Sequence, residues 1–313
     1  MSEGPLISVF GPTGTGKTGV AIELAGLLRD RGEDPVAVNC DSIQVYRGLE
    51  VLSGAADALG QDQLEHRLIS FVPVEQEFSA GRYATLARAE IDGLIDQGKR
   101  PILVGGTGLY LRGALSSLEF RPPVAPEVRA EVEREIGTRG PAALHAELSE
   151  RARRAIDPND RSRVTRATEL LRSGQEPAAD HEGGGELWTA KLRYPSLLVG
   201  LTDEPGILTE RIGLRVEAMA AAGAGEEAAR AVAADASRTA RAAIGFKEFL
   251  SGDLERAATR HRQFARRQMT WMRKMEAVTV VERSERSDRV VAASILELAG
   301  QAGSDDASRR ASG

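Results

Sequence analysis

Residues 9–18 read V-F-G-P-T-G-T-G-K-T and carry the spacing G-x-x-x-x-G-K-T, with Gly11, Gly16, Lys17 and Thr18 at its fixed positions. Residue types in this order suit a polyphosphate. Glycines let the backbone turn its N–H groups toward an anion, with Pro12, Thr13, Gly14 and Thr15 forming the turn between them. Lys17 supplies a point charge, and the Thr18 hydroxyl can ligate the Mg²⁺ that accompanies a polyphosphate. The loop says little about what the phosphates are attached to. A kinase-type site usually adds an acid at the end of a neighbouring strand. Here "PILVGGTG" ends in glycines and Thr107, and the only strand-end acid read from sequence is Asp41, in "VAVNCDSIQVYRGL".

The elements that must position these groups are legible as patterns. "LISVF" from 6, "VAVNC" from 36, "PILVGG" from 101, "SLLVGL" from 196 and "AVTVVE" from 277 are apolar runs of buried-strand type. Val20, Leu24, Leu27 and Leu28 recur at helical spacing after the loop, so its phosphates meet a helix N-terminus. Strands alternating with amphipathic helices imply right-handed crossovers and a doubly wound parallel α/β sheet of the P-loop NTPase-like kind. In such a sheet ligands gather at the carboxyl ends of the strands, so Asp41, Thr107 and the Lys17 loop should share a crevice.

Between residues 104 and 197 the chain is too long for one crossover and runs through Arg-rich helical patterns. Residues 118–194 are therefore expected to form an inserted helical subdomain, with "HEGGGE" as a flexible loop. The core is expected at 1–117 and 195–300, and 301–313 as a disordered tail.

Composition sets limits. Of 313 residues, 42% are apolar and 28% charged, and the net charge is −5, so any basic site must be local. The start has no secretory pattern and no long apolar span occurs, so a cytoplasmic protein without membrane contact is expected. The lone Cys40 excludes an intramolecular disulfide and reads as a buried apolar side chain, and the histidines lack metal-ligand spacing. Arg211 and Arg215 lie on one helical face, opposite Leu208, Ile212 and Val216. The segment "RHRQFARRQMTWMRK" interleaves Arg260, Arg262, Arg266 and Arg267 with Phe264 and Trp271 and contains no acid, as phosphate contacts and base stacking require, although a solvated basic helix would look the same.

The motifs "GPTGTGKT", "DSIQVYRGL", "GGTGLYLRGAL", "DPNDRSRVTRATELL", "AIGFKEFL" and "FARRQMTWMRK" occur in this order. Together they resemble the bacterial tRNA dimethylallyltransferases, from about residue 6 to about residue 274. The resemblance implies transfer of a dimethylallyl group from its diphosphate to the exocyclic amine of the adenosine 3′ of the tRNA anticodon. It makes residues 11–18 a cradle for an isoprenoid diphosphate with Mg²⁺ on Thr18, Asp41 the general base, and Thr107 and Arg215 further catalytic groups. The implied tRNA contacts are Asp41, Ser42, Ile43, Gln44, Thr107, Arg129, Ser162, Arg163, Val164, Thr165, Arg166, Gly245, Phe246, Lys247, Arg262, Arg266 and Arg267. A monomer is expected.

The chain departs from the family pattern at Leu52, Ser53, Gly54 and Ala55, where relatives usually carry Gly-Thr-Ala-Lys. Rival readings are an isopentenyltransferase for free adenine nucleotide, which would not need the Arg-rich insert, and a small-molecule P-loop kinase, against which the missing acid after "PILVGG" counts. A third is a non-catalytic RNA-binding module, for which the phosphate loop and Asp41 would be superfluous.

Overall fold

The computed structural model describes residues 4–118, 120–121, 124–175 and 191–311, with side chains described to residue 302; "HEGGGE" lies outside the described residues. The sheet has six parallel strands in the order β3-β2-β4-β1-β5-β6: β1 Leu6–Phe10, β2 Pro35–Asn39, β3 His66–Arg67, β4 Arg100–Gly105, β5 Ser196–Thr202 and β6 Val278–Glu282. β1, β2 and β4 are buried throughout, because helices cover both faces of a parallel sheet and alternation is lost. Two details differ from the sequence pattern. β3 has only two residues, too short for any periodicity to show. β6 is an edge strand with Val280 58% exposed, so it is not the buried strand its composition suggests.

The helix Lys17–Arg29 buries Val20, Ala21, Leu24, Ala25 and Leu28 in one cluster with Ile7, Val9, Ile102 and Val199 of the sheet and Val291, Ile295 and Ala299 of the last helix. Burial of this stripe, rather than propensity, holds the helix N-terminus at the end of β1. The last helix, Asp288–Ala311, runs through most of the stretch expected to be a disordered tail.

The chain divides into two compact units, one comprising Met1–Ser117 with Ala190–Gly313 and the other Leu118–Thr189. Residues 193–194, expected in the insert, are tied to the first unit: Arg193 N–H donates to the Leu115 carbonyl and Tyr194 Oη to Asp92. The second unit consists of the helices Pro126–Arg139, Pro141–His145, Glu150–Ala155 and Arg161–Arg172. Its own core is Val132, Ile136, Leu144, Leu148, Ala152, Ile156, Val164 and Ala167. No helix among the described residues is long and apolar enough to cross a membrane.

Candidate active site

The phosphate loop leaves β1 at Phe10 and closes on the Lys17–Arg29 helix through Gly16, which adopts φ 75° as N-cap. Gly11 must be glycine because a Cβ there would lie 2.5 Å from the Leu201 carbonyl oxygen on β5. Not every loop amide is free for an anion. Thr13 N–H donates to Gln268 Oε1 at 2.9 Å, and Thr15 N–H reaches the Pro12 carbonyl. The amides of Gly14, Gly16, Lys17 and Thr18 have no protein acceptor among the described residues. They sit where a helix start presents its unsatisfied N–H groups.

Lys17 Nζ donates to the Pro12 carbonyl at 2.8 Å. Burial, and after it the like charge of Arg215, push its pKa down to about 7, with Asp41 opposing both. Arg215 reaches into this crevice. Its Nη2 donates to the Ser53 carbonyl, and its Nε is buried without a hydrogen-bond partner. Burial also lowers the Arg215 pKa, with Asp41 offsetting. Gly54, in the departing segment, makes room: a Cβ there would stand 2.0 Å from Arg215 Nη2. Lys17, Arg215 and Asp41 therefore feel one another's charge across one site.

Asp41 follows β2. Its Oδ1 accepts from Ile43 N–H at 2.9 Å, its own N–H donates to Asn39 Oδ1, and its carbonyl accepts from Asn39 Nδ2. No ion pair involves Asp41 among the described residues. Thr107 stands with this acid rather than with the phosphate loop. Its Oγ1 accepts from Ser42 N–H at 3.1 Å and lies 3.3 Å from Ser42 Oγ, and its N–H donates to the Cys40 carbonyl. Gly105 allows the approach, since a Cβ would lie 2.3 Å from the Cys40 carbonyl carbon. Cys40 is buried as expected, and burial pushes its thiol up to about 12, so it has no nucleophilic role.

Asp41 is not the only strand-end acid. Asp203 follows β5 directly, its carboxylate is fully buried, and it pairs with Arg211 at 2.5 Å. The T-D-E step after "SLLVGL" was the available signal. Held by Arg211, Asp203 is committed to the fold, whereas Asp41, whose charge reaches Lys17 and Arg215, has no ion pair among the described residues. Arg211 is thus structural, since it also donates to the Ser284 carbonyl.

The helix Leu254–Lys274 carries the basic segment. Arg266 and Arg267 are exposed, Arg267 lies over the Phe264 ring, and Arg262 is half-buried with Nη2 on Thr259. Gly245 caps the next-door helix Phe246–Ser251 at φ 83°, and Lys247 is exposed, but Phe246 is 3% exposed and packs inward. In the second unit, Arg129 and Arg166 converge on the buried Glu169, and Arg163 pairs with Asp160. Ser162 is exposed, whereas Val164 and Thr165 are buried, Thr165 Oγ1 donating to the Arg161 carbonyl. At Val164, Thr165 and Phe246 the helical period turns the side chain to the core.

A family model described as IPP transferase matches residues 44–275. The chain belongs to this family. A tRNA dimethylallyltransferase of Anaeromyxobacter sp. (strain K) is 40% identical to this chain over 291 residues, covering 87% of this chain and 91% of the relative. One from Thermobifida fusca (strain YX) is 37% identical over 289 residues, covering 86% and 87%. Among solved structures, the full-length tRNA isopentenylpyrophosphate transferase of Bacillus halodurans matches with a TM-score of 0.68 at 29% identity, covering 98% of this chain and 99% of that one. The resemblance carried by the ordered motifs is borne out, and so is the P-loop NTPase-like fold.

Proposed function

We propose that the protein transfers a dimethylallyl group from dimethylallyl diphosphate to the exocyclic N6 amine of the adenosine 3′ of the tRNA anticodon, releasing diphosphate. The observation that carries this reading is the grouping of a carboxylate without an ion pair, Asp41, with the two half-buried cations Lys17 and Arg215 in one crevice. The adenine lone pair is delocalised into the ring, so its amine attacks only as a base accepts the proton, and Asp41 is that base. As the N–C bond forms, the allylic C–O bond breaks and its electron pair leaves with the diphosphate. Lys17, the unpaired amides of Gly14, Gly16 and Thr18, and Arg215 Nε hold the charge that develops there. Thr107, bonded to Ser42, orients the 41–44 loop, in which Ser42, Ile43 and Gln44 face an extruded base.

Mg²⁺ fits this loop. The Thr18 hydroxyl makes no protein hydrogen bond among the described residues, and Mg²⁺ is commonly held by one or two protein oxygens together with substrate phosphates and water. When bound, it would supply further positive charge at the diphosphate.

Unmodified tRNA incubated with dimethylallyl diphosphate should gain the isoprenoid mass on one nucleoside. Acceptor-dependent conversion of ATP to ADP, with the γ-phosphoryl group carried onto the acceptor, would instead establish a kinase.

Arg266 and Arg267 are proposed to contact tRNA phosphates, and Arg129, Arg163 and Arg166 to contribute from the inserted unit. Replacing Arg266 and Arg267 with Ala should weaken tRNA binding uniformly across sequences and reduce the slope of log affinity against log salt by about two. Donor affinity should hold. An unchanged salt slope assigns both arginines to the solvated surface.

A further inference from the structure

We infer that Gln268 is a positioning residue for the transfer, holding the donor loop and the acceptor-side loop in one register; this rests on the function proposed above. Gln268 is 4% exposed on a helix whose preceding residues, Arg266 and Arg267, are exposed. Its Oε1 accepts from Thr13 N–H in the phosphate loop at 2.9 Å, and its Nε2 donates to the Gly106 carbonyl at 2.8 Å. Gly106 precedes Thr107, which is bonded to the loop of Asp41. One side-chain amide thus spans the two strand-end loops that must be brought together for attack in line with the leaving group.

The chemistry of the two partners determines the residue. A backbone N–H can only donate and a backbone carbonyl can only accept, so the bridging group must offer one acceptor and one donor. This also determines the orientation of the amide. The fit is close. A Cβ on Gly106 would lie 2.2 Å from Gln268 Nε2, and one on Gly108 would lie 2.2 Å from Trp271 Cε3, so the helix rests directly on the loop backbone. Without Gln268, the Thr13 N–H and the Gly106 carbonyl are buried and unmatched, and the loops are free to find other partners.

Gln268→Met keeps the length and removes both bonds. Its expected result is about a tenfold loss of affinity for inorganic diphosphate, read by calorimetry, and a larger fall in kcat/KM for the donor, while tRNA affinity stays within about twofold. Gln268→Glu retains the acceptor, loses the donor and adds charge beside the loop. When protonated, its O–H restores the donor, so the ratio of mutant to wild-type diphosphate affinity should recover as pH falls. Diphosphate affinity within about twofold of wild type in Gln268→Met, or a loss confined to tRNA binding, overturns the assignment. Should Gln268→Met not fold, a Gln268→Glu to wild-type ratio flat with pH does the same. Diphosphate binding is read without any transfer, so a failed transfer assay leaves this test standing.

Discussion

Asp41→Asn is expected to reduce single-turnover transfer by about 10²- to 10⁴-fold while leaving folding, donor affinity and tRNA affinity near wild type. The Asn carbonyl can still accept from Ile43 N–H, the bond that Asp41 Oδ1 makes at 2.9 Å, so the 41–44 loop keeps its turn. What is lost is the proton acceptor. Because the base acts only as the amine attacks, the loss belongs in the chemical step. An Asp41 that instead served as a metal ligand would lose donor affinity along with rate, and excess Mg²⁺ would partly restore both. A mutant within about threefold of wild type on preformed tRNA–donor complexes would remove Asp41 from the mechanism.

Lys17→Met is expected to lower kcat/KM for the donor by about 10²- to 10³-fold, the usual loss when one preorganised donor to a developing negative charge is removed. Its protonation gives an independent signature. With its pKa pushed to about 7 by burial and Arg215, Lys17 is mostly neutral in the free protein at pH 8. A bound diphosphate favours the ammonium and raises that pKa. Donor binding at pH 8 should therefore take up a proton, measurable by calorimetry in buffers of different ionisation enthalpy, and Lys17→Met should abolish the uptake. Equal uptake by both proteins would show that the proton goes elsewhere.

Stability should move the other way. The folded protein binds fewer protons than the unfolded chain between about pH 7 and the ordinary lysine value of 10.5. The cost of burying this charge is complete below pH 7 and lifts as pH rises toward 10.5. Below pH 7 the methionine variant should accordingly melt no lower than wild type, which separates loss of function from loss of fold.

The phosphate loop, the helix behind it, Asp41 and most of the parallel strands could be read from sequence by itself, because each is written in contiguous residues. A parallel strand covered on both faces is an unbroken apolar run, a buried helical stripe repeats at a local period, and the G-x-x-x-x-G-K-T turn closes within a single loop. The tertiary structure alone decided which groups meet. Strand order places β4 between β2 and β1, which carries Thr107 to Ser42. It also places β5 against β1, where Asp203 is neutralised by Arg211, a pairing that removed the second strand-end acid from the candidates. Arg215 and Arg211 share a helical face in sequence yet have different partners, Ser53 and Asp203, because the ground each side chain covers belongs to a different strand-end loop. Gln268 is the extreme case, with its amide bonded to Thr13 across 255 residues of chain. Hydrophobic period states which side of a helix is buried. It holds no information about the polar group waiting opposite, because that group is supplied by a remote segment whose position depends on the whole sheet.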